Sequence, residues 1–182
     1  MRLCCAMAIG LAALQPGTTA SAKSDDIETA GTGIAIALPI AAGGIALYHD
    51  YDWQGVAQLV ADTGATVGTA FLLKHVLKEE RPDHSDDQSF PSDTAALAFA
   101  PAQFLWDRYG WQYGVPAYAA AAFSGYSRVE SRQHHWWDVA ASAGMAFGYG
   151  KLFTSRYTHY DNVETGAYLT PHAAFLSFKY RF

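Results

Sequence analysis

Two long stretches without a single charge set the terms on which this chain can fold. Gly31 to Tyr48 is rich in Ala, Gly and Ile and is broken once by Pro39, and Tyr109 to Tyr126 is its counterpart further on. As a helix each reaches about 27 Å, whereas a bilayer crossing takes about 20 apolar residues. Ala and Gly dominate both, and mean hydropathy over the chain is -0.01. These lengths favour a compact bundle associated with the membrane over a lipid-embedded one. Between them, Val56, Leu59, Val60, Val67, Phe71 and Leu72 recur at three- and four-residue steps, which predicts a helix from about Gly55 to Lys78. Thr94 to Trp106 returns to the same pattern, and a last helix is expected from near His134 to about Leu152. The fold class that follows is all-α, a bundle of about five to six helices.

The two ends of the chain differ from this middle. Residues 1–22 have the form of an export signal, with Arg2, the apolar run Leu3 to Leu14, and a small-residue cleavage site at Ala20-Ser21-Ala22. Both cysteines, Cys4 and Cys5, lie in that segment, so the exported chain would carry no thiol chemistry. The expected destination is the periplasm or the periplasmic face of a cell-envelope membrane. Residues 23–30 are polar and read as a flexible leader, and 31–153 as the helical domain. In the tail, 154–182, Leu176, Phe178, Tyr180 and Phe182 alternate with Ser177, Lys179 and Arg181, the period of a strand. Pairing with Val163 to Thr170 through Pro171-His172 would make a short C-terminal β-hairpin.

Charge narrows the partners. Of the residues, 16% are charged and 51% hydrophobic, with a net charge of -5. No basic arm offsets that balance, which argues against nucleic acid. The five tryptophans, Trp53, Trp106, Trp111, Trp136 and Trp137, suit either core packing or an apolar mouth and interface.

Three polar clusters interrupt the apolar pattern. Lys74 and, after six intervening residues, Arg81-Pro82 place two cations where the second helix runs into an acidic loop. Lys acts there as a point charge and Arg as a bidentate fork for an oxyanion, or both simply complement a helix C-terminus. Pro91-Ser92-Asp93-Thr94 opens the next helix, where Ser92 or Asp93 would cap it and leave N–H groups open to an anion. The third cluster runs from Ser127-Arg128 through His134 and His135 to Asp138. On one helix, His134 and Asp138 would share a face, and a carboxylate on one ring nitrogen frees the other to attack.

In this order and spacing the clusters resemble the type 2 phosphatidic acid phosphatase (PAP2) and vanadium haloperoxidase superfamily. Its first motif, Lys-x6-Arg-Pro, is matched by Lys74, Arg81 and Pro82, and its third, Ser-Arg-x5-His-x3-Asp, by Ser127, Arg128, His134 and Asp138. The likeness covers roughly residues 50–153. The middle motif departs, because Asp93 and Thr94 stand where relatives carry Gly and His.

The resemblance implies a phosphatase that works through a phosphohistidine. His134 would be the nucleophile, Asp138 its orienting partner, and Lys74, Arg81, Ser92 and Arg128 the phosphate-binding cage. No metal or other cofactor is implied; vanadate would enter only if the chain were a haloperoxidase. The substrate would be a phosphorylated small molecule or lipid. The missing middle histidine leaves the leaving-group proton unassigned, and losing a general acid costs about 10²–10⁴-fold. Asp93, with a pKa raised by burial, and His84 are the candidate substitutes. A weakened enzyme restricted to good leaving groups, or a binder of phosphate or lipid head groups, are the other outcomes.

Overall fold

The computed structural model of the chain describes residues 18–50, 52–157, 163–170 and 173–180. Most of the expected export signal, and Phe182, therefore lie outside the described residues. Five α-helices follow in order: α1 (Thr18–His49), α2 (Gln54–Val76), α3 (Asp93–Tyr109), α4 (Trp111–Glu130) and α5 (Trp136–Phe153). Backbone strands β1 (Val163–Thr170) and β2 (Ala173–Tyr180) pair antiparallel, with Val163 opposite Tyr180.

Local features set where α3 and α4 begin or end. The Ser92 hydroxyl accepts the Ala95 N–H at the start of α3, satisfying one of the orphan donors of a first turn. Gly110 ends α3 at φ 89°, where a Cβ would be strained. Arg132 takes φ 56° just past the end of α4, the left-handed position that closes many helices.

α3 is the axis of the bundle, packing against α1, α2, α4 and α5. Ala95, Ala96, Ala98, Ala100 and Ala102 are fully buried along it, with Phe104. Side chains this small let four neighbours approach one helix closely. The outer helices keep apolar residues on their outward faces, among them Ile40, Leu47, Val60, Phe71, Leu72, Val115, Phe147 and Leu152.

Two expectations are corrected here. Residues 23–30 are not a loose leader but part of α1, where Glu28 bonds to Arg128 and Gln133. The charged residues Asp25, Asp26 and Glu28 had marked the stretch as polar, yet tertiary partners hold it in register. The apolar segments are also longer than the uncharged runs suggested. Ser24–His49 and Gln54–Val76 are each long and apolar enough to cross a membrane, with only 28% and 22% of their most apolar windows buried. Charges at the helix ends had shortened the apparent spans. All five tryptophans are exposed rather than core residues, with Trp53 and Trp111 at one end of the bundle and Trp136 and Trp137 at the other.

The helices alternate in direction, so the ends of the bundle gather different residues. At one end Asp50 and Arg108 form a buried ion pair of 2.6 Å, with side chains 1% and 2% exposed. Arg108 also donates to Gln58 and to the Ser155 carbonyl, and Tyr109 donates to Asp50. Every arm of the pair is engaged, which a buried charge requires. Removing one partner leaves the other uncompensated. Arg108→Ala is expected to cost about 3–5 kcal/mol of stability, measured by unfolding of the detergent-solubilised protein.

Candidate active site

The opposite end of the bundle collects the motif residues. Lys74 comes from the last turn of α2, Asp93 from the first turn of α3, Arg128 from the last turn of α4, and His134 from the segment entering α5. The loop 77–92 closes over them, joined across itself by a bridge between Glu79 and Gln88. Lys74, Ser92, Arg128, His134 and Asp138 are all buried.

His134 and Asp138 do not meet as a helical pair. α5 begins at Trp136 with His135 as its N-cap, so His134 lies in the turn before it. Its Nδ1 sits 2.7 Å from the Ser89 carbonyl and 3.6 Å from Asp138 Oδ2. A carbonyl only accepts, so Nδ1 carries the proton and Nε2 of the neutral ring keeps a bare lone pair. The residue that orients His134 most directly is therefore Ser89, through its backbone. No side-chain pattern signals a carbonyl in this role, and sequence reasoning missed it.

Asp138 braces the same turn. Its Oδ2 accepts the Ser89 hydroxyl at 2.5 Å and the His135 N–H at 2.7 Å. Burial pushes this carboxyl up, but His134, the Ser89 hydroxyl and the His135 amide outweigh it and hold the group below the usual carboxylate range. His135 also reaches the carboxylate, its Nδ1 lying 3.5 Å from Oδ2. Glu79, His135 and Asp138 bring ligand atoms within 4.8 Å of one another. Those atoms are already engaged, since Glu79 takes the Trp137 indole N–H at 2.6 Å and Asp138 takes Ser89 and His135.

Each cage cation faces a carboxylate. Lys74 Nζ lies 2.9 Å from Asp93 Oδ1, Arg81 Nε 2.7 Å from Asp86 Oδ1, and Arg128 Nη1 3.6 Å from Glu28 Oε1. Burial holds the Arg128 guanidinium below its usual range against the carboxylates of Glu28 and Asp93, with Arg81 adding a like charge. Ser92, expected in the cage, caps α3 with its hydroxyl oxygen and keeps its O–H to donate.

The two expected substitute acids are placed differently from the sequence reading. Burial works to raise the Asp93 carboxyl, but the hydrogen bond and charge of Lys74 prevail and hold it below the usual range. In the free site Asp93 is thus an ionised counter-ion to Lys74 with no proton to give. His84 is exposed on the loop, paired with Glu80 at 2.5 Å, and is not among the residues gathered around His134.

No protein-family model matches the chain. Over 131 residues it is 33% identical to a lipid A 4'-phosphatase of Helicobacter pylori, an alignment covering 66% of each protein. The chain belongs to the PAP2 superfamily. A second match is a lipid A 1-phosphatase of Porphyromonas gingivalis, 37% identical over 76 residues, covering 40% of the chain but 17% of that protein. The crystal structure of Aquifex aeolicus LpxE shares the fold at a TM-score of 0.58 and 20% identity, over 77% of this chain and 87% of that one. The all-α bundle is thus the PAP2 fold. The chain spans less than two thirds of the length of either curated relative.

The Lys74–Asp93 pair has a direct consequence for ligands, because an anion on Lys74 competes with Asp93. Asp93→Asn keeps the side-chain oxygen that Lys74 and the Thr94 N–H bond to, and removes the competing charge. Orthovanadate should bind this variant about tenfold more tightly, roughly 1.4 kcal/mol, as read by isothermal titration.

Proposed function

We propose that this protein is a membrane-bound phosphatase that removes a phosphate from a lipid, by way of a phosphohistidine on His134. The observation that carries the reading is the 2.7 Å bond from His134 Nδ1 to the Ser89 carbonyl. With the proton on Nδ1, the neutral ring keeps its Nε2 lone pair free to attack, at the end of the bundle where Lys74, Arg81 and Arg128 also lie. Nε2 attacks phosphorus, the P–N bond forms as the bond to the leaving oxygen breaks, and water then hydrolyses the phosphohistidine. The three cations and the Ser92 hydroxyl stabilise the charge on the transferring group, which is the main demand of phosphoryl transfer. Asp138 keeps its role as a brace of the nucleophile. No metal takes part in these steps.

Phosphate arriving at Lys74 strips Asp93 of its counter-charge and sets a dianion beside it. Both changes favour protonation, so Asp93 acts as the proton donor only after displacement. A diphosphate leaving group would reduce the need for that proton. The names of the two curated relatives support a lipid A-type phosphate as substrate. A binding-only role is the second reading, favoured by Thr94 in the place of the middle histidine. Haloperoxidase chemistry with vanadate in the cage is a third, and it also lacks that histidine.

In this reading α1 and α2 cross the membrane, with tryptophans at both boundaries. Cleavage after Ala22 would leave the new N-terminus at the site end of α1, so the site would face the periplasm. The domain would extend to 153, with the hairpin in the tail from 154 to 182.

Purified protein is expected to hydrolyse p-nitrophenyl phosphate and lipid A, and to accumulate acid-labile phosphate on histidine. His134→Ala should lower turnover by at least about 10³-fold, the scale on which site groups act. Full activity in that variant removes the assigned nucleophile, and vanadate binding without any turnover favours the binder. Hydrolysis is tested against halide oxidation by adding bromide, peroxide and vanadate. The protein should also stay with membranes through a high-salt wash and need detergent for release.

A further inference from the structure

We propose that Glu28, in the N-terminal part of α1, is a positioning residue of the phosphate site and acts through Arg128. Its catalytic consequence rests on the phosphatase reading above, while its geometry does not. The three motifs run from Lys74 to Asp138, so α1 lies outside all of them. Yet it returns to the site. The Glu28 carbonyl accepts Arg128 Nη2 at 2.5 Å, and the Glu28 carboxylate accepts Gln133 Nε2 at 2.6 Å. Gln133 Oε1 in turn accepts Arg128 Nη1 at 3.3 Å, and Ser127 Oγ accepts Nε at 3.3 Å. Three of the five guanidinium N–H groups are thus tied from behind, and one on each Nη is left for phosphate oxygens.

The closeness of α1 to α4 is built in. Gly31, less than one turn beyond Glu28, faces Ser127, and a Cβ there would lie 1.8 Å from Ser127 Oγ and 2.4 Å from its Cβ. Any larger residue would force α1 away from Arg128. The Arg128 side chain is only 4% exposed, but the Glu28 carboxylate is 32% exposed and 3.6 Å from Nη1, a loose, solvent-screened pairing that adds little to stability and serves mainly to orient. A long, flexible side chain held in one orientation before the ligand arrives loses less freedom on binding. Glu28 and Gln133 form that clamp.

The test uses orthovanadate titration of the full-length protein in detergent, with turnover followed in parallel. Glu28→Ala is expected to weaken vanadate about tenfold and to lower kcat/KM by a similar factor, with the melting temperature unchanged. Glu28→Gln, whose amide oxygen still accepts Gln133, recovers most of both. In an Arg128→Ala background Glu28→Ala adds no further loss, as required of a residue acting through the guanidinium. Several results would overturn the proposal: wild-type vanadate affinity in Glu28→Ala, tighter binding in it, full additivity with Arg128→Ala, or a loss that tracks the melting temperature. Wild-type protein that binds vanadate without turnover defeats the phosphatase reading and leaves the clamp to the vanadate arms. Failure to bind vanadate at all defeats both.

Discussion

The Asp138 carboxylate is the contact on which the site end of this bundle depends. A single oxygen, Oδ2, receives the Ser89 hydroxyl and the His135 amide and stands 3.6 Å from the His134 ring. Those partners belong to the loop before α3 and to the turn before α5. One buried charge therefore fastens two segments that are distant in sequence, and His134, the proposed nucleophile, lies between them. The low protonation tendency of Asp138 follows from the same contacts, since the Ser89 hydroxyl and the His135 amide both donate to it and favour the charged form.

Around that anchor the bundle solves an electrostatic problem. Three cations, Lys74, Arg81 and Arg128, gather at the end proposed to hold a phosphate, and an unoccupied cluster of like charges would repel itself. Asp93, Asp86 and Glu28 each face one of them. The cations are kept extended and oriented by these partners, at the cost of competition when a phosphate comes in. The far end of the bundle uses a different device, a fully satisfied Asp50–Arg108 pair. There the charges serve the packing of helices alone, whereas at the site end half-exposed partners such as Asp93 can give way.

α3 links the two ends. Its alanines permit contact with four neighbours at once, and the caps at Ser92 and Gly110 fix where it begins and ends. The result leaves the outer helices with little buried surface and apolar outward faces. That is the distribution expected when the solvent around the bundle is lipid rather than water.

Much of this was legible in the residues. Helical periodicity located α2 and α3 to within a few positions, since apolar spacing is a local property, and the uncharged run from Tyr109 to Tyr126 located α4. Lys74, Arg81, Arg128, His134 and Asp138 were legible because their spacing matches a family pattern, and the fold does gather them at one end. Other features were not. Polar residues 23–30 read as a leader because nothing local says that Glu28 has partners on α4, a hundred residues away. Asp93 read as an acid whose pKa is raised by burial; the ammonium of Lys74, brought in by helix packing, reversed the direction. The Ser89 carbonyl leaves no mark in a sequence at all. What the sequence by itself determined was the helical class, the family and which residues to propose for the site. Only the tertiary structure decided which atom orients His134, which carboxylate answers each cation, and that α1 reaches Arg128. Those depend on distances between segments, and side-chain chemistry read along one chain carries no distances.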